Sequence, residues 1–282
     1  MAFTPLVQYE GKNSDRGPSP IIWSDLPRDI QDPNVGFELF DDFTNFSKHI
    51  SDQDTQQYAS YIDTGVTLTQ LAGVVGGQVQ VAGNDADNDE GILCTHGPLA
   101  QVSDTAGDDR KLWFEARIKK ASVADNGVSF FIGLAFDHGS SAPLSAVEAL
   151  VDNTGALGAF SYLGFHVDAA DGDALNFVYK AEGQAQTDAI AGVQALAADT
   201  FYKVGFAFDP KAETAKRIKV YVDGTEQTTY VTGTNIAAAT FPDAEPLGLC
   251  LATKVGAAAE VLVTMDSVSY THLRAHETDS YL

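Results

Sequence analysis

Phe201-Tyr-Lys-Val-Gly-Phe-Ala-Phe-Asp-Pro210 and Arg217-Ile-Lys-Val-Tyr-Val-Asp-Gly224 are two alternating runs joined by a polar link, 211–216. Alternation of apolar and polar residues places one side of each run in a core and the other toward solvent, and predicts an antiparallel strand pair. In the first run Tyr202, Val204, Phe206 and Phe208 form the core side, while Phe201, Lys203, Gly205, Ala207 and Asp209 face away. In the second, Ile218, Val220 and Val222 alternate with Arg217, Lys219, Tyr221 and Asp223. Asp223-Gly224 supplies the positive φ angles of a tight hairpin.

The same logic extends outward. Strands are expected over 37–43, 57–62, 77–82, 91–95, 111–119, 128–137, 160–168, 174–179, 201–209, 217–222, 246–253 and 259–267. Twelve strands without regularly intervening helices predict an all-β, two-sheet antiparallel sandwich. Over 111–119, Leu112, Phe114, Ala116 and Ile118 point inward, and Trp113, Glu115, Arg117 and Lys119 outward. The run Val128-Ser-Phe-Phe-Ile-Gly-Leu-Ala-Phe136 is apolar on both faces, which suits a central strand. One helix of about two turns is expected over 144–151, capped by Ser145. The small-residue tracts 189–198 and 237–239 read as loops or edge segments.

At 282 residues, 44% hydrophobic and with 16 Phe, the chain can bury one large core. The formal charge of −22, from 39 acidic and 17 basic residues, repels phosphate backbones and anionic lipids, so nucleic acid and membrane surfaces are not expected partners. Cys94 and Cys250 each sit in an apolar run and read as small hydrophobes, not as a disulfide framework. The first residues lack a basic start and an apolar run, and nowhere do 18 apolar residues follow one another; the expectation is a cytoplasmically made chain, neither exported nor inserted. Residues 1–36 hold five of the ten prolines and predict an extended arm. Phe3, Leu6, Val7, Ile21, Ile22 and Trp23 give that arm anchors for docking on its own domain or on a partner.

Three pieces resemble the concanavalin A-like jelly rolls, which include legume lectins, laminin G-like modules and laminarinase-type glycoside hydrolases. They are Phe37-Glu-Leu-Phe-Asp-Asp-Phe43, the late pair ending in Tyr221-Val-Asp-Gly224, and Val263-Thr-Met-Asp-Ser267. The resemblance covers 37–267 and implies a lectin-like sandwich. More narrowly, Asn13-Ser-Asp-Arg-Gly-Pro18, Ile21-Ile-Trp23, Phe40-Asp-Asp-Phe43, Asp85-Ala-Asp-Asn-Asp-Glu-Gly91, Lys111-Leu-Trp-Phe-Glu115 and Phe131-Ile-Gly-Leu134 are similar to tailed-bacteriophage structural proteins of this fold. That resemblance implies a non-enzymatic virion decoration or fibre-like component, partnered by capsid or neighbouring virion subunits and oligomeric in the particle. A carbohydrate-binding module and a degenerate glycoside hydrolase are the alternatives.

Residues Val268-Ser-Tyr-Thr-His-Leu-Arg-Ala-His-Glu-Thr278 resemble one translated frame of the transposase adapter used in shotgun sequencing libraries. The resemblance implies that 268–282 are adapter-derived, that the gene is metagenomic, and that the last strand is cut near Asp266 or Ser267. His272 and His276, spaced as ligands on a helix are, are then an accident of reading frame and not a zinc pair.

Laminarinase-type enzymes carry Glu-x-Asp-x-x-Glu on one strand, which provides nucleophile, helper and acid. No strand here has it: Glu115 precedes Ala-Arg, Glu148 lies in the expected helix, Glu260 precedes Val-Leu-Val, and Asp41 and Asp42 face opposite sides. No catalytic, cofactor or metal residue is expected. Asp85, Asp87 and Asp89 with Gly91 suggest a calcium loop, but the glycine comes one place late and His96 stands where a closing Glu belongs, so a solvated turn is the expectation. Asp168–Asp173 reads as a hairpin loop. His49, His96, His138 and His166 are scattered and predict no nucleophile–base pair. Gly73–Gly77 and Gly155–Gly158 lack the Lys and helix of a phosphate cradle. Trp113 and Tyr221, on outer faces, are candidates for stacking on sugar rings or on cross-strand neighbours.

Overall fold

The computed structural model describes residues 16–27, 29–30, 32, 34–46, 48–49, 58–74, 76–83, 88–95, 97–105, 110–136, 157–158, 160–243, 245–256 and 261–274. Among them the strands are β1 (Gly36–Asp41), β2 (Lys48–His49), β3 (Tyr58–Ile62), β4 (Thr67–Gln70), β5 (Val79–Gly83), β6 (Glu90–Thr95), β7 (Leu112–Lys120), β8 (Val128–Phe136), β9 (Tyr162–Val167), β10 (Ala174–Lys180), β11 (Thr187–Ala195), β12 (Thr200–Phe208), β13 (Ile218–Val222), β14 (Thr225–Glu226), β15 (Leu247–Val255) and β16 (Val261–Leu273). A four-residue helix, α1 (Gly233–Ile236), carries a capping box between Thr232 and Asn235. The helix expected over 144–151 lies outside the described residues.

The strands form two sheets. The first runs β14-β13-β12-β7-β16-β5-β4, with β1 also paired to β16; the second runs β11-β10-β9-β8-β15-β6-β3-β2. Every ladder is antiparallel except the short β2–β3 pair. The deciding stretch forms β12 and β13 with Val204 opposite Val222 and Phe206 opposite Val220. Asp223 (φ 48°) and Gly224 (φ 71°) make the turn into β14, both in the left-handed region that a two-residue hairpin requires.

The inner faces meet in one core. Phe114 stacks on Phe206 at 5.2 Å within the first sheet, Phe206 reaches Phe177 of the second at 5.4 Å, and Phe177 meets Phe165 at 5.2 Å. These rings are fully buried, so truncating any one of them removes roughly 3–5 kcal/mol. As its two-sided apolar sequence predicts, β8 is central, between β9 and β15.

Three strands escape sequence reading: β2 and β14 have two residues each, and β4 exposes three of its four residues. The tract 189–198, read as a loop or edge segment, falls largely in β11, an edge strand whose pairing with β10 is interrupted by register shifts. The end of the last strand is a correction. β16 does not stop at 266–267; it continues to Leu273, with Val268–Leu273 paired to β1 and most of that stretch also to β7. Val268 and Tyr270 enter the core, Ser269 and Thr271 are buried on the opposite face, and ladders on both sides hold the stretch in the sheet.

Candidate functional site

The outer face of the first sheet is not open. Residues 16–27 lie across it, so the arm docks on its own domain. Ile22 and Trp23 pack on Trp113 and Tyr221, and all four are buried. Trp113 Nε1 donates to Asp25 Oδ1 at 3.2 Å, and Lys111 Nζ pairs with Asp25 at 2.6 Å and Asp209 at 2.8 Å. The outward-facing Trp113 and Tyr221 are therefore covered, not free to stack on a sugar. Their strand parity is as expected; what the alternation could not show is that a segment about 90 residues upstream would cover Trp113.

Two buried carboxylates lie under the arm. Asp266, 1% exposed, accepts from Arg16 Nε at 2.7 Å, Arg117 Nη1 at 2.6 Å and Gln78 Nε2 at 2.7 Å. Burial by itself would raise its carboxyl, but hydrogen bonds from Arg16, Gln78 and Arg117 outweigh burial and hold it below the usual range. Arg16 also donates to the carbonyls of Gly76 and Gly77. Gly77 has φ +63° and no room for a Cβ, which would fall 2.4 Å from the Phe43 carbonyl carbon. Glu115, 3% exposed, accepts from Ser19 N at 2.9 Å and pairs with Lys203 Nζ at 3.2 Å. Its carboxyl is raised by burial, only partly offset by Lys203 and Ser19.

Beside the arm, a groove of about 640 Å³ is lined by Ser19, Pro20, Ile21, Arg117, Phe201, Lys203, Asp223 and Gly224. Arg117 sits 4.1 Å over the Phe201 ring, with Lys119 Nζ at 5.2 Å from the same ring. Lys203 is spent on the Gly17 carbonyl (2.7 Å), Ser19 Oγ (2.9 Å) and Glu115. Asp223 Oδ1 accepts from Lys203 N at 2.9 Å. Ile21 stands 52% exposed at the rim. The groove is thus lined by Arg117 and Lys203, whose charges are balanced by buried Asp266 and Glu115 behind them, by the Asp223 carboxylate and by an aliphatic shelf; Glu115 and Asp266 do not line it.

The outer face of the second sheet is apolar at its centre: Ile92, Cys94, Phe131, Ala135, Tyr162, Val178, Cys250 and Ala252 are buried there. Phe131 lies over the facing glycines Gly133 and Gly164, whose Cβ positions would meet its ring at 3.1 and 3.0 Å. Sequence reading left His166 unpaired with any nucleophile, yet its Nε2 is 3.3 Å from Ser129 Oγ. Ser129 Oγ also donates to the Val167 carbonyl at 2.9 Å.

Among the described residues no group of three His, Cys, Asp or Glu is placed to hold a metal ion. Asp85, Asp87, His96, His138, Glu148, Glu260 and His276 lie outside the described residues. Asp168–Asp173 is the turn between β9 and β10, with Asp168 Oδ1 accepting from Ala170 N at 2.8 Å. His272 lies in a strand and is half-buried; burial and the charges of Arg274 and Arg110 lower it to about 4.

No family model matches the chain, and no curated protein matches it in sequence. Solved structures do resemble it. A protein of unknown function from Shewanella oneidensis MR-1 is 15% identical with a TM-score of 0.54, over 86% of this chain and 88% of that one. Peanut lectin is 15% identical with a TM-score of 0.53, over 85% and 98%. The fold is the concanavalin A-like jelly roll. A β-glucanase of Bacillus licheniformis shares it at 14% identity and a TM-score of 0.50, over 83% and 97%.

Proposed function

We propose that this chain is a non-enzymatic structural or decoration component of a bacteriophage virion, made in the host cytoplasm and held by capsid or neighbouring virion subunits. The observation that carries the reading is that the centres of both broad outer faces are closed. The arm covers Trp113 and Tyr221 on one, and apolar side chains fill the other. Glu115 and Asp266 are each tied to cations beneath the arm and do not line the groove, which favours a scaffold over a hydrolase. The sequence resemblances at 13–18, 85–91 and 131–134 supply the virion assignment.

Because 16–27 are committed to the chain's own sheet, the attachment expected of the arm falls to residues 1–15. A chain lacking 1–15 should fold and lose particle attachment, measured by co-sedimentation with particles. Decoration that persists without these residues overturns the tethering claim, and carbohydrate-degradation genes beside this one, in place of capsid, portal or terminase genes, overturn the virion reading.

A second reading, glycan contact, is favoured by the groove. Its balanced charge and its Pro20–Ile21 shelf suit a neutral polyhydroxyl ligand. Ile21→Asp and Asp223→Ala should abolish signal on a glycan array; signal unchanged by both removes the groove from consideration.

A further inference from the structure

The only two cysteines of the chain, far apart in sequence, stand directly opposite each other: Cys94 of β6 pairs with Cys250 of β15. Both are buried cysteines, not joined by a disulfide, on the same outer face of the second sheet, among Ile92, Phe131, Tyr162, Val178 and Ala252. Directly opposed residues of an antiparallel ladder have Cα atoms roughly 4.5–5.5 Å apart. A disulfide spans Cα distances of roughly 4.4–6.8 Å and Cβ distances of roughly 3.5–4.5 Å; a directly opposed pair meets the first range and borders the second, so a small local adjustment closes the bond. The Cys94 thiol donates to the Ala59 carbonyl at 3.8 Å, a weak bond that a turn about χ1 gives up to bring the sulfur toward Cys250.

We infer that Cys94 and Cys250 form a cross-strand disulfide site, closed by exchange with a small-molecule disulfide such as oxidised glutathione. The Cys94 thiolate, its proton released to water, attacks one glutathione sulfur and expels a glutathione thiolate. The Cys250 thiolate then attacks the Cys94 sulfur of the mixed disulfide and expels the second. The protein loses two electrons and two protons, and one glutathione disulfide becomes two thiols. Burial pushes the Cys250 thiol well above its ordinary value, and the apolar surroundings exclude reagent. The exchange therefore requires an oxidising medium outside the cytoplasm and a local opening of this face, and a bond once made is shielded from reductant. It would tie β15 to β6 at the middle of the second sheet.

The test is independent of any function. The full chain is refolded with reduced glutathione alone or with a reduced and oxidised mixture, then unfolded, alkylated and weighed. In the mixture the expected product is two hydrogens lighter, resists alkylation until reduced, and yields a digest peptide joining 94 to 250; its thermal midpoint exceeds that of the reduced chain. Complete alkylation of both thiols, or glutathione adducts and intermolecular dimers in place of the internal bond, overturns the inference. If refolding yield is low, chain expressed in an oxidising compartment is read by the same mass and digest criteria.

Discussion

Replacing Asp266 by Ala removes the anion on which the arm and the first sheet converge. The carboxylate is 1% exposed and accepts from Arg16, Arg117 and Gln78, while the two arginine side chains are 24% and 23% exposed. Breaking a buried ion pair from one side costs about 3–5 kcal/mol, chiefly because the remaining charge is stranded. Both guanidinium groups here can regain some water, which places the loss at the lower end, about 3 kcal/mol. For a chain of this size that corresponds to a fall of roughly 6–12 °C in Tm. Urea unfolding of Asp266→Ala, Arg16→Ala and the double variant measures the loss and the coupling, which should be about 1–3 kcal/mol. The pH dependence has a definite sign. Because the folded carboxyl is held below its ordinary value, its stabilisation is full above the unfolded value of about 3.9 and is lost as pH falls through the folded one. The gap between wild type and Asp266→Ala should thus be flat at neutral pH and narrow only in acid. A loss under about 1 kcal/mol, or strict additivity of the two substitutions, would refute the claim that this carboxylate fastens the arm.

Three further outcomes follow from the same structure. Trp23→Ala should cost roughly 3–5 kcal/mol, and the emission of Trp113, then the sole tryptophan, should shift to the red; unshifted emission would mean the arm still covers it. Gly133→Ala should lower stability by about 1–3 kcal/mol in urea unfolding, since its Cβ would lie 2.5 Å from the Leu163 carbonyl oxygen and press on Phe131. Tyr270→Ala should cost roughly 3–5 kcal/mol in urea unfolding, because its ladder position faces the core; a loss under about 1 kcal/mol would contradict the strand register.

Where alternation spoke, it spoke clearly. Val204, Phe206, Phe208, Ile218, Val220 and Val222 reach the core side that their spacing assigns, because period-two side chains have no third option. Asp223-Gly224 likewise turns where few other dipeptides could. The candidate site was less legible. Ile22 and Trp23 were visible as anchors, but nothing local pairs Arg16 with Asp266 or Ser19 with Glu115, because those partners meet only after the sheet has formed. The tract 189–198 could be read only as a loop or an edge segment for a related reason: its alanines and glycine carry no face preference, and an edge strand exposes both sides.

The sequence by itself determined the sandwich, its main strands and their inner faces, because burial of alternating apolar residues is a local pattern with one geometric outcome. Tertiary structure alone decided that the arm closes over Trp113 and Tyr221, that Arg117, Phe201, Asp223 and Ile21 share a groove, and that Cys94 faces Cys250. Each depends on which strands become neighbours, a property of topology that no stretch of residues carries in itself.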